Sequence, residues 1–270
     1  MITPRMCFVL LYSEDVFNLS RNFKLQKVGN TEWVIENYNF NEMSKSIDEL
    51  IILNINKNQK PISKRFITNI SPLIEKSLMP VGIGGGIKNY ETAKFYFDNG
   101  ADKIIINSNF FQNDTNFIQK IINQYGSQSV VASIDYKKQG LKNAEVYIDN
   151  GDKKLGISLF DAIRKIEVLG AGEILLNSID RDGVGYGYDI ETLKEVNKIT
   201  SLPIIPCGGA DNYHHLLEGI KTSFLYAVST SHIFNFMGDG LKETKKLLIK
   251  EGYNFINWDY STLKISNENK

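Results

Sequence analysis

Met79-Pro80-Val81-Gly82-Ile83-Gly84-Gly85-Gly86-Ile87-Lys88-Asn89-Tyr90 returns 123 residues later as Leu202-Pro203-Ile204-Ile205-Pro206-Cys207-Gly208-Gly209-Ala210-Asp211-Asn212-Tyr213. Pro80/Pro203, Gly85/Gly208, Gly86/Gly209, Asn89/Asn212 and Tyr90/Tyr213 align without a gap, and the same offset places Asn107-Ser108 on Thr230-Ser231. Each copy reads as a short apolar strand ending in glycines, a helix, a second strand and a small hydroxyl residue. A period near half of the 270-residue chain points to two fused half-barrels. A solenoid would repeat every 20–50 residues or so.

Outward from these copies, short apolar runs alternate with amphipathic stretches. Met6–Leu11, Leu50–Leu53, Val81–Ile83, Lys103–Ile106, Val130–Ile134, Ile174–Leu176, Ile204–Ile205 and Phe224–Val228 are eight predicted strands. Each is apolar on both faces, as parallel strands covered by helices are. Helical periodicity lies between most of them, as at Tyr90–Asp98, Asn113–Tyr125, Ser158–Leu169 and Asp189–Ile199, and returns at Leu241–Lys250. Gly100, Gly126 and Gly170 follow three of these stretches, where a residue of positive φ stops a helix. The expectation is a single α/β domain over residues 1–270, a (β/α)8 TIM barrel built from two half-barrel repeats. An open doubly wound sheet is the alternative that spacing alone leaves. Tyr12–Gly29 reads as a long polar connection, and Lys137–Leu155, with Gly140 and Asn150-Gly151, as a hairpin-bearing excursion. Both would rise from the C-terminal face of a barrel, where sites are built. From about residue 260 a polar tail is expected.

Thirty-one basic and 31 acidic side chains cancel. That balance argues against a nucleic-acid binder and against a polybasic membrane patch. Cys7 and Cys207 make no disulfide framework and lack metal-ligand spacing, so neither a metal nor a cofactor is expected. Met1–Arg5 precedes only a short apolar run, with no signal peptide or membrane span, and the expected location is cytoplasmic.

The repeated layout suits phosphate. Glycines let the backbone approach an anion, exposed N–H groups form a nest, and a helix N-terminus adds its dipole. Gly85, Gly86, Asn107 and Ser108 would bind one phosphate, and Gly208, Gly209 and Ser231 a second, across the barrel mouth. The carboxylates after strand six read equally as an acid or base, or with Asp182-Gly183 holding the second phosphate loop and Asp180-Arg181 as a local ion pair. The plainer account is that these glycines only make tight βα turns. Asp135 ends strand five, where a carboxylate points into the site as a general acid or base; the competing role is loop bracing. His214 and His215 read as structural, and His232 as a possible ligand contact beside Ser231.

Gly84–Ile87, Gly100–Lys103, Ile106–Ser108, Tyr125–Gln128, Ser133–Asp135, the stretch Gly170–Gly183, Gly187–Asp189 and Cys207–Ala210 together resemble the HisF family, the cyclase subunit of imidazole glycerol phosphate synthase. The likeness is dense from about residue 80 to 235 and loose before it. It implies a barrel that receives ammonia from a glutaminase subunit (HisH-like) and uses it on a phosphorylated small molecule. It further implies an ammonia gate of Arg5, Glu49, Lys103 and Glu173 at the N-terminal end, with Asp102 facing the glutaminase. The family's essential aspartate at the end of strand one is here Leu11, and an aspartate expected after strand two is Asn54. The loop after strand one has no clear match to the family's lysine-bearing flap, where Arg21 or Lys24 would have to serve. A leucine run of this kind resembles the branch of the family in surface-polysaccharide and flagellar-glycan pathways. That branch implies transfer of ammonia, with a third amidotransferase protein, to make an acetamidino sugar. Three other readings stand beside it: the histidine-pathway cyclase with Glu14 or Asp15 replacing the lost acid, a non-catalytic scaffold activating a glutaminase, and a sugar-phosphate isomerase.

Overall fold

The structure is a computed structural model that describes residues 3–56, 64–112, 114–139 and 143–256. The polar tail and Gly140 lie outside the described residues. In chain order the elements are β1 (Arg5–Ser13), β2 (Val16–Arg21), β3 (Lys24–Gly29), α1 (Thr31–Asn37), α2 (Phe40–Met43), β4 (Glu49–Asn54), α3 (Lys64–Lys76) and β5 (Val81–Gly84). There follow α4 (Tyr90–Asp98), β6 (Lys103–Ile106), a 3-10 turn at Ser108–Phe111, α5 (Asn116–Tyr125), β7 (Val130–Gln139), β8 (Asn143–Ile148) and β9 (Lys153–Ser158). The remainder is α6 (Leu159–Val168), β10 (Glu173–Ser178), α7 (Ile190–Asn197), β11 (Ile204–Cys207), α8 (Tyr213–Lys221), β12 (Ala227–Thr230) and α9 (Gly240–Lys250).

Strands β11, β10, β7, β6, β5, β4, β1 and β12 are neighbours in that order, all parallel. Ser229 on β12 donates to the Pro206 carbonyl of β11 at 2.5 Å, which brings the last two strands together. The cylinder is therefore a (β/α)8 TIM barrel, and the open-sheet alternative falls.

Period-two alternation divides the apolar strands between two cores. Phe8, Leu10, Leu50, Ile52, Ile83, Ile104, Ile134, Ile174 and Leu176 face outward under the helices. Cys7, Val9, Ile51, Ile105, Val131, Leu175, Ile205, Cys207 and Ala227 form a separate inner cluster, with Leu11 and Leu53 packed against it. This is why the strands read as continuous apolar runs.

The repeated asparagines have a local purpose. Asn89 and Asn212 are both extended N-caps, accepting the N–H groups of Thr92 at 2.9 Å and His215 at 3.2 Å. A second pair of related devices lies at the barrel floor. Asp48 and Asp102 accept the N–H groups of Met6 and Val81, each at 2.8 Å, and so bind the start of one strand to its neighbour.

Two sequence expectations change. Tyr12–Gly29 is an antiparallel hairpin, β2–β3, continuing β1. Its turns place Glu14, Asp15, Asn22 and Phe23 at positive φ, without the Asn-Gly or Asp-Gly signature of a tight hairpin turn. The last strand starts three residues later than Phe224, because Ser223 takes φ 62° after α8 and Phe224–Tyr226 lead up to the floor. The excursion after β7 is a hairpin, as expected, with β8 and β9 antiparallel.

No helix among the described residues is long and apolar enough to cross a membrane.

Asp48 is buried and pairs with Lys245 of α9 at 2.7 Å, both side chains being at most 6% exposed. Removing one member strands the other charge. Asp48→Ala is expected to cost about 3–5 kcal/mol, seen as a lowered urea midpoint. Asp161→Ala, on an exposed turn of α6, should cost less than about 1 kcal/mol.

Candidate functional site

The inward positions of the strand starts bring four charges together at the floor. Arg5 donates to both Glu49 and Glu173, while Lys103 reaches Glu49 at 3.0 Å and Glu173 at 2.9 Å. The result is a closed ring of alternating sign. Burial pushes the Glu49 carboxyl up, a cost that Arg5 and Lys103 only partly offset. Burial works against the charge on Lys103 as well, but the two glutamates hold its pKa above the ordinary value. Glu49 Oε1 is buried without a hydrogen-bond partner and lies near Gly82, where Ile105 packs so closely that a Cβ would meet its Cδ1 at 2.9 Å.

Above the ring, the inner apolar cluster forms the interior of the cylinder. It ends at the C-terminal face, where Asp135 sits on β7. Asn177 donates to Asp135 Oδ1 at 3.1 Å, and Asn107 to Oδ2 at 3.0 Å. Burial raises this carboxyl to about 7, despite the two amide donors. Asn177 Oδ1 is itself buried and unpaired. Leu11 lies on the same interior, so no carboxylate occupies that position of β1.

The proposed replacements for that acid point away. Asp15 is paired with Arg65 at 2.5 Å and accepts from the hydroxyl of Tyr12 at 3.1 Å; Glu14 is exposed and paired with Lys27 at 2.7 Å. Tyr12 alternates with Leu11 and faces outward, and it carries the Asp15 cluster with it. Arg21 and Lys24 are exposed on the hairpin flanking its turn.

Around the second repeat copy, one pocket is lined by Gly183, Gly208, Gly209, Ser231 and His232, joined by Ser20 and Thr230. Gly208 and Gly209 take φ of 93° and 97°, and a Cβ on Gly209 would overlap the Gly187 carbonyl at 2.1 Å. Only glycine fits there. Asp182 is held through one oxygen: its Oδ2 accepts the Ser20 hydroxyl at 2.5 Å and the Phe23 N–H at 2.9 Å. Its role in this structure is to brace the β2–β3 hairpin. Burial disfavours the charged form of His232 and holds its pKa below the ordinary imidazole value, and its Nδ1 accepts from the Asn235 N–H at 3.3 Å.

At the first copy, Gly85 and Gly86 have φ of 101° and 67°. Asn107 is spent on Asp135 and on the Ser133 carbonyl at 3.1 Å. Ser108 opens the 3-10 turn. Asp102 is exposed beside Lys103 at the floor, on the face opposite these loops. His214 and His215 lie on α8, and His215 pairs with Asp211 at 2.8 Å.

Sequence reasoning passed over Asn177 and Ser20. Asn177 was legible in principle: stepping by two from Glu173 through Leu175 puts it on the interior. Ser20 was not, because its strand read as a loop.

The family described as "Histidine biosynthesis protein" matches residues 23–237. A protein named "Putative imidazole glycerol phosphate synthase subunit hisF2", from Parasynechococcus marenigrum (strain WH8102), is 43% identical over 246 residues, covering 91% of this chain and 90% of that protein. Imidazole glycerol phosphate synthase subunit HisF of Clostridium botulinum (strain Kyoto / Type A2) is 36% identical over 230 residues, 85% and 88% of the two chains. The HisF subunit of Dictyoglomus turgidum (strain DSM 6724 / Z-1310) is 37% identical over 205 residues, 76% and 80%.

The chain belongs to the HisF family. Within that HisF barrel, Leu11 lies on the interior, Asp15 is paired with Arg65, and Asp135 is held at the mouth by Asn177 and Asn107.

A carboxylic acid that the folded state holds near pH 7, against about 3.9 when unfolded, favours folding only while protonated. Stability relative to Asp135→Asn should fall as pH rises from about 4 to about 7 and stay level above. Carboxyl carbon NMR should place the titration midpoint near 7. A midpoint near 4 would show that solvent reaches the group.

Proposed function

We propose that this chain is the ammonia-accepting barrel of a glutamine amidotransferase, working in the cytoplasm on a phosphorylated sugar of surface or flagellar glycan biosynthesis. The observation that carries the reading is the neutral ring of Arg5, Glu49, Lys103 and Glu173 beneath an apolar interior that leads toward Asp135.

In this reading a glutaminase subunit of the HisH type docks on the floor, where Asp102 and Lys103 are presented. Ammonia is small and uncharged, so an apolar passage admits it while ammonium, which must shed its hydration, is held back. The unpartnered Glu49 Oε1 gives an entering N–H a first acceptor. At the mouth, glycine loops and hydroxyls hold phosphate, and Asp135, poised near neutrality, exchanges a proton with the reacting group. With a third amidotransferase protein, the ammonia goes to an acetamido sugar, whose amide oxygen leaves as water to give the acetamidino group.

Leu11 is the residue that favours this branch. A cyclase working through two acids needs a second carboxylate opposite Asp135, and leucine moves no proton. The names of the relatives favour the histidine-pathway cyclase instead, with its imidazole glycerol phosphate product.

Imidazole glycerol phosphate formation with ammonium salt separates the two. Losing one member of an acid–base pair costs about 10²–10⁴-fold, so turnover is expected at least a hundredfold below that of a HisF with both carboxylates. Robust turnover would overturn the glycan reading. Co-purification with a HisH-type glutaminase, and faster glutamine hydrolysis in its presence, is expected under either pathway. If Asp135→Asn leaves product output unchanged, the chain is a scaffold.

A further inference from the structure

The offset of 123 residues that aligns the two glycine loops also pairs Ile87 with Ala210, Lys88 with Asp211 and Asn109 with His232. These positions do different work in the two copies. In the first, the buried Asn109 amide donates to the Ile87 carbonyl at 2.7 Å and braces the end of the glycine loop. In the second, the equivalent Ala210 carbonyl accepts the Thr230 hydroxyl at 2.8 Å instead. His232 is thereby relieved of that brace, and it lines the pocket with Gly208, Gly209 and Ser231.

Contacts on both sides of the ring hold it there. The Thr230 hydroxyl accepts the His232 N–H at 3.2 Å. The Asn235 N–H donates to His232 Nδ1 at 3.3 Å, and the Asn235 amide donates to the Asp211 carbonyl at 2.9 Å, which ties this turn to the glycine loop. A ring nitrogen that accepts a hydrogen bond carries no proton, so the neutral imidazole has its N–H at Nε2. Protonating Nδ1 would set two donors against each other, and burial also disfavours the imidazolium. The carboxylate in the same pocket is Asp211, whose Oδ1 lies 2.8 Å from His215 Nδ1 and accepts from the Asn212 amide at 2.8 Å. Where the first loop carries a lysine, the second carries this acid. An anion at the second loop is then held by N–H and O–H donors: the backbone of the glycine turn, the Ser231 hydroxyl and His232 Nε2.

We propose that His232 is a phosphate ligand particular to the second half-site, donating from Nε2 as a neutral imidazole to the phosphate held on Gly208 and Gly209. This rests on the phosphate reading of the glycine loops given above, with both loops occupied, and adds to it a donor that the first half-site lacks at the equivalent position. There the asparagine is buried and spent on its own loop.

Titration of the full chain with inorganic phosphate, followed by backbone amide NMR, tests this without knowledge of the substrate. In His232→Ala the midpoint read at Gly208 and Gly209 should rise about tenfold, the loss of one hydrogen bond to a charged group. The midpoint read at Gly85 and Gly86 should change by less than about twofold, as for a distant, independent site. His232→Gln, which keeps an uncharged N–H donor at the same reach, should restore the second midpoint. His214→Ala, on the exposed face of α8, should leave both unchanged. In the wild type with phosphate bound at pH 7, imidazole nitrogen NMR should show His232 neutral with its proton on Nε2; this readout needs no variant. An unchanged second midpoint in His232→Ala would overturn the assignment, and so would equal weakening at both loops, which would mark an effect through the fold. A glutamine variant as weak as alanine, or a ring protonated on Nδ1, would overturn the neutral donor. Wild-type silence at both loops would instead remove the phosphate reading itself, and the assignment with it.

Discussion

Four charges in a closed ring are affordable in a protein interior only when their signs alternate and every ion touches two of the other kind. Arg5, Glu49, Lys103 and Glu173 meet that condition. Each comes from the start of a different strand, so the ring forms only if β1, β4, β6 and β10 keep their registers around a closed cylinder. Shifting one strand by a single residue would turn its charge into the outer core. The ring therefore ties barrel closure to the character of the floor, and the apolar interior above it has a polar entrance without carrying a net charge. A buried ion pair is weak evidence for stability, so the ring's presence is not explained by stability alone.

At the other end, the half-barrel repeat sets two glycine loops on the rim. Both hairpins that rise from the rim are fastened down by buried or geometrically strict contacts. Asp182 holds the β2–β3 turn through Ser20 and Phe23, and Gly151 seats the β8–β9 turn against that same Phe23. The two excursions thus meet each other above the interior. Asp135 lies below them between two amide donors, sheltered enough that ionisation is costly near neutral pH. Leu11 and Leu53 pack against the interior, and Asp182 is a further buried carboxyl at the same rim.

Much of this was legible in the sequence, for particular reasons. The duplicated segment at Met79 and Leu202 disclosed the half-barrel symmetry, and its asparagines proved to be matching helix caps. Strand positions followed from apolar runs because both faces of each strand are covered. The β2–β3 hairpin was not legible, since Glu14, Asp15, Asn22 and Phe23 adopt positive φ without the glycine that normally announces it. Contacts such as Ser20 with Asp182 join residues 162 positions apart and leave no local trace. The floor ring was readable only through likeness to a family, because nothing in the spacing of residues 5, 49, 103 and 173 marks them as neighbours.

The central claim is that nitrogen enters at the floor. Hydrogen–deuterium exchange of this chain with and without a HisH-type glutaminase, mapped by peptide mass spectrometry, tests it most directly. The account predicts new protection in the segments around Arg5, Asp48–Leu50 and Asp102–Lys103, with exchange in the two rim hairpins unchanged. Protection confined to the β2–β3 and β8–β9 hairpins, with the floor unaffected, would contradict it.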